Sequence, residues 1–142
     1  MKSYVGIDPG ATGAMAVIFG DGRVEIFDDP RAIKDILSPD WQIFAAIEWA
    51  QPMPKQGVVS VFTYGKGYGR LLQLLEDFGI AYQEIRPTMW KKEFSLIHQD
   101  KEKSIELAKK LFPSISDKLT RKKDHGRAEA LLIAEYARRK NM

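Results

Sequence analysis

The chain has no cysteine among its 142 residues, which excludes disulfide cross-links and thiolate metal sites. No run approaches the roughly 20 consecutive apolar residues of a membrane span. The opening stretch MKSYVGIDPGATGAMAVIF lacks the unbroken apolar core of a secretory signal, because Asp8, Pro9 and Gly10 interrupt it. Internal repeats and low-complexity segments are missing too. These absences agree with a protein of the cytoplasm that has no membrane partner. What remains is ordinary: 44% hydrophobic and 29% charged residues, long enough for one domain spanning residues 1–142 with a full core.

Charge is scarce in net terms, at +3, but unevenly spread. Residues 1–60 carry five Lys/Arg against eight Asp/Glu, and residues 61–142 carry seventeen against eleven. An acidic first half with a basic second half suits a polyanion binder whose carboxylates have a separate task. The hydrophobic pattern predicts strands over Ser3–Asp8, Ala14–Phe19, Arg23–Phe27, Ile43–Trp49 and Ala81–Ile85. Helices are expected over Pro30–Leu37, Ser60–Phe78, Lys101–Phe112 and Arg127–Arg139. The order βββ-α-β-α-β-α-α is an α/β fold, a mixed five-stranded sheet flanked by helices.

Within that frame, two carboxylates end apolar strands. Asp8 follows Val5-Gly6-Ile7, and Glu48 follows Ala45-Ala46-Ile47. If the two strands lie side by side, both acids project from one sheet edge, where like charges need a cation between them. A hard divalent ion with oxygen ligands fits, and two such ions could hydrolyse a phosphodiester. The segment KKDHGRAEALLIAEYARR supplies further candidates: His125 and Glu129, four apart, share one helix face. Asp124 is either an N-cap or a ligand. Asp8, Glu48 and Glu129 rank first for the metal cluster, and Asp124 and His125 compete for the fourth place.

GIDPGATGA, AIEWA and HGRAEALLIAEYARR together resemble the RuvC-type Holliday junction resolvases, in particular the short phage-like members, in order and over nearly the whole chain. The resemblance implies a ribonuclease H-like fold, a homodimer, and Mg²⁺- or Mn²⁺-dependent paired nicking of four-way DNA junctions, with two ions per site and no small-molecule cofactor, in a bacterial or phage-infected cell. It carries catalytic roles onto Asp8, Glu48 and Glu129, and onto Asp124 or His125. Members of that family usually have aspartate where Glu129 stands.

Residues expected to meet DNA fall in three groups. Lys55, Phe62, Tyr64, Lys66, Tyr68 and Arg70 lie in KQGVVSVFTYGKGYGRL, where glycines permit close approach to phosphates and aromatics can stack on an unpaired base. Trp90, Lys91 and Lys92 suggest a backbone clamp. Lys122, Lys123 and Arg127 flank the proposed site and would draw phosphates toward it. Rival readings use the same residues: another ribonuclease H-like nuclease acting on flaps, branched DNA or RNA–DNA hybrids; a non-catalytic branch-binding module; or an actin-like lobe in which Gly10, Thr12 and Gly13 wrap a nucleotide phosphate.

Overall fold

Alternation of side chains along the strands organises the molecule. In the computed structural model, which describes residues 1–10 and 13–142, β1 (Lys2–Asp8) sits at the centre of a five-stranded sheet. It pairs antiparallel with β2 (Ala14–Ile18), which pairs antiparallel with β3 (Val24–Phe27). On its other side β1 runs parallel to β4 (Gln42–Glu48), and β4 runs parallel to β5 (Ala81–Ile85). The strand order is β3-β2-β1-β4-β5.

Each face of this sheet has its own apolar layer. Val5, Ile7, Met15, Val17, Ala45 and Ile47 pack on one side, against Ile33 and Leu75. Leu75 belongs to α1 (Val58–Asp77), and Ile33 to a 3₁₀ helix over Pro30–Asp35 where a regular helix had been expected. Tyr4, Ala16, Ile18 and Ala46 face the other side, against α4 (His125–Arg139). That helix is buried from Ala130 to Ala137. It presents Ala128, Ala130 and Ala134 because the sheet comes close: a Cβ on Gly6 would lie 2.0 Å from the Ala130 carbonyl oxygen and 2.5 Å from the Ala134 nitrogen. The glycine of GIDPG is therefore a contact surface for the helix, in addition to any role in the turn.

The sequence pattern missed the helix that follows β5 and two short 3₁₀ helices, Pro113–Lys118 and Lys122–Asp124. Pro87 was expected to end the fifth strand only; it also occupies the first turn of α2 (Pro87–Glu93), where its fixed φ and missing N–H are tolerated. α3 (Lys101–Leu111) follows, capped by the Asp100 carboxylate, which accepts from the Lys103 amide. α1 begins at Val58, two residues before the expected start, and runs uninterrupted through Gly65, Gly67 and Gly69. Among the described residues, no helix is long and apolar enough to cross a membrane.

Candidate active site

The strand alternation that sends Tyr4 and Gly6 toward α4 also sends Asp8 there. In the parallel neighbour, Ala46 and then Glu48 follow the same rule. Register places Ile7 opposite Ile47, so Asp8 and Glu48 extend side by side from the carboxyl ends of β1 and β4. Ligand sites in open α/β sheets lie at this edge. Asp8 is buried and Glu48 half-buried. Beyond Asp8 the chain turns back on itself: the Gly10 amide donates to Asp8 Oδ1 at 3.1 Å, and the Gly13 amide donates to the Gly10 carbonyl at 2.9 Å. A Cβ at Gly13 would stand 2.0 Å from the Asp8 carbonyl oxygen, so only glycine closes this turn. Thr12, named for the nucleotide-lobe reading, lies outside the described residues.

Glu129 reaches the same edge from above, on the first turns of α4. Burial, the charge of Asp8, a hydrogen bond to Asp8 and the charge of Glu48 together push its carboxyl up to about 8. The three acids thus crowd one another, and the crowding favours the protonated form of Glu129. Burial also raises Glu48, with Asp8 adding to the rise; the Trp90 indole, donating from Nε1 to Glu48 Oε2 at 2.9 Å, and the charge of Lys91 oppose it. Tyr64 of α1 is half-buried near this group, its phenol raised by burial and by Asp8 and Glu48. Among the described residues, no three acidic or histidine side chains are already gathered as a ready-made ligand cage. Glu129 nevertheless feels the charges of both Asp8 and Glu48, and Glu48 feels that of Asp8.

His125 and Asp124 part company. His125 opens α4 one turn before Glu129; burial and the charge of Lys101 lower its pKa, while Asp8 raises it, so it stands within electrostatic reach of Asp8. Asp124 is engaged by arginines of its own segment. Its buried carboxylate accepts from the Arg121 amide at 2.9 Å and from Arg121 Nη2 at 2.8 Å, with Arg127 Nη1 at 3.7 Å. Burial would raise its pKa, but these partners hold it below the ordinary carboxylate range. Its oxygens are spent on bracing the entry to α4.

Three expected DNA contacts also need correction. Trp90 is fully buried in the α4-facing core, so it cannot clamp a nucleic-acid backbone. Arg127 donates two hydrogen bonds to the Asp28 carboxylate, at 2.7 and 2.8 Å, and one to the Lys118 carbonyl at 2.9 Å, which ties α4 to the end of β3. Tyr68 packs against the opposite core layer and donates its hydroxyl to Glu84 at 2.6 Å. The remaining candidates stay accessible. Lys55, Lys66, Arg70, Lys92, Lys122 and Lys123 are exposed, and Lys91 is half-buried beside the carboxylates. Phe62 is 67% exposed, with Lys66 Nζ 5.1 Å from its ring centroid.

The sequence reading did not mark two features of this edge. Arg86 lies over the Trp49 ring, 5.0 Å from its centroid, and Lys101 acts on His125. Both join residues far apart in the chain, and only their adjacency in the fold makes them visible.

No protein-family model matches the chain. Over 96 residues, 67% of its length, it is 33% identical to the chloroplastic Holliday junction resolvase MOC1 of Chlamydomonas reinhardtii. That stretch is 11% of the relative, so the chain spans only a small part of the curated protein it matches. Solved structures that share its architecture include two of RuvC. One is Thermus thermophilus RuvC, 20% identical, with a TM-score of 0.63 over 98% of this chain and 96% of that one. The other is T. thermophilus RuvC in complex with a Holliday junction substrate, 16% identical, with a TM-score of 0.64 over 97% and 96%. The chain has the ribonuclease H-like fold of RuvC, and it is similar in sequence to a junction resolvase over two thirds of its length.

Proposed function

We propose that this chain, acting over residues 1–142 as one nuclease domain, is a RuvC-type endonuclease that cuts four-way DNA junctions by paired nicks with divalent metal ions. The observation that carries the reading is the approach of Asp8, Glu48 and Glu129 to one sheet edge, where burial and mutual repulsion raise the carboxyl of Glu129. The donor set fits a hard divalent cation: the ligands are carboxylate oxygens, and their mutual repulsion is what a dication removes. Asp8, Glu48 and Glu129 would hold Mg²⁺ or Mn²⁺, with His125 in the fourth place. When bound, two such ions supply an activated water and charge neutralisation at the departing oxygen.

The chain's own residues do the rest. Glu129 would hold an ion only as the carboxylate, its proton passing to solvent. Lys91, whose charge already acts on Glu48 and Glu129, offsets the repulsion between the carboxylates and an approaching phosphate. Exposed Lys92, Lys122 and Lys123 attract the backbone, so binding should weaken steeply with salt. Phe62 offers a stacking face for an unpaired base. Val58, Val59 and Phe62 leave the start of α1 apolar and exposed, which supports pairing with a second copy. A two-fold dimer would set two sites on opposing strands of a junction.

The test is nicking of a synthetic four-way junction, with flap and RNA–DNA hybrid substrates beside it. Symmetric, Mg²⁺-dependent cuts in the junction are expected. Asp8→Asn should abolish them and leave junction binding intact or tighter. Full activity in that variant would remove Asp8 from the chemistry, and preferential cutting of flaps or hybrids would replace the substrate.

A further inference from the structure

We infer that Trp90 is a positioning residue for metal capture: its indole N–H fixes Glu48 so that the second carboxylate oxygen is left for the ion. This rests on the reading of Glu48 as a ligand but goes beyond it, because Trp90 touches neither metal nor DNA.

The case starts from placement. α2 begins at Pro87, directly after β5, and Trp90 falls one turn later with its side chain fully buried. A buried indole must spend its single N–H on some acceptor. This one donates to Glu48 Oε2 at 2.9 Å, across 42 residues of sequence. The acceptor is a half-buried carboxylate at the end of an otherwise apolar strand, repelled by Asp8. Without a donor, a group in that position swings away or takes a proton. Held at Oε2 from the core side, Glu48 keeps one rotamer. Lys91 strengthens the arrangement: its ammonium lies 5.5 Å from the Trp90 ring centroid, and its charge favours the ionised form of Glu48. Adjacent residues of one short helix therefore give Glu48 a neutral donor and a cation. Partners of this kind, behind a ligand, typically change metal affinity by about 10- to 100-fold when removed.

The variant is Trp90→Phe, which keeps an aromatic ring in the core and deletes the donor. Direct Mn²⁺ binding to DNA-free protein, read by electron paramagnetic resonance, should weaken by about 10- to 100-fold. Nicking should fall at low metal and recover at high metal, while junction affinity measured without metal stays that of the parent. Parent-like Mn²⁺ affinity in a folded variant would overturn the inference and leave the nuclease reading untouched; a parent that neither binds Mn²⁺ nor cuts junctions would overturn both. Should Trp90→Phe fail to fold, the parent decides. Its three indole N–H resonances, assigned through Trp41→Phe and Trp49→Phe, are followed during Mg²⁺ titration. The Trp90 signal should shift with metal and be displaced in Glu48→Gln. A Trp90 resonance indifferent to saturating Mg²⁺ would refute the role.

Discussion

In metal-free buffer, raising the pH should destabilise this protein through Glu129. Its carboxyl sits at about 8 in the folded chain against 4.5 for a free glutamate, because it is buried beside Asp8 and Glu48. A raised folded value means that the folded state holds its proton more tightly than the unfolded chain does. The stabilisation is complete below about 4.5 and is lost as pH climbs through about 8. At ~1.4 kcal/mol per decade, the interval is worth on the order of 5 kcal/mol. Glu48, raised by burial, adds in the same direction. His125, lowered by burial, works the other way: stability rises with pH as the unfolded imidazole loses its proton, and that effect is finished near neutrality. The assay is urea unfolding in EDTA at pH 6 and pH 9, for the parent and for Glu129→Gln. The parent's stability should drop by a few kcal/mol and the variant's by about 1 or less. Saturating Mg²⁺ at pH 9 should restore the parent and do little for the variant. Parallel pH curves for the two proteins would mean that the three carboxylates do not crowd one another, and the metal-site reasoning would fail with them.

Gly6→Ala should cost about 3 kcal/mol or more, seen as insoluble or molten protein, because the new methyl meets the α4 backbone at 2.0 and 2.5 Å. Asp124→Asn should destabilise the chain by about 2 kcal/mol, since it weakens a buried carboxylate's pairing with Arg121 and Arg127. The same variant should leave Mn²⁺ affinity unchanged in resonance titrations, and a large affinity loss would return Asp124 to the ligand set. Gly65→Ala should raise thermal stability by about 1 kcal/mol, because the added methyl stands in open space on a helix. If that face meets DNA or a second copy, gel shifts of the variant on a four-way junction will nonetheless weaken.

Much of this protein was legible in its sequence, because strands and their partners announce themselves locally. Apolar runs stopped by Asp8 and Glu48 place two acids at strand ends whatever the sheet order. The i, i+4 spacing of His125 and Glu129 puts both on one face before any fold is known. α2 was less legible: Pro87 reads equally as the end of a strand and as the first turn of a helix. The helix expected through the glycines of α1 does run through them, its other end anchored on the sheet by Leu71, Leu72, Leu74 and Leu75.

Tertiary structure decided which side chains remain available for chemistry. Asp124, Arg127, Tyr68 and Trp90 are the residue types one would choose for a metal or a phosphate. Each is instead engaged: Asp124 by Arg121 of its own segment, and Arg127, Tyr68 and Trp90 by Asp28, Glu84 and Glu48 from other parts of the chain. A hydrogen bond or ion pair formed across the fold removes a polar group from solvent as surely as burial does. No local pattern records it, because its energy depends on where two independent stretches of chain meet. The sequence determined that three carboxylates would be offered, on two strands and a helix. Only packing of α4 over Gly6 brought them close enough to feel one another's charge.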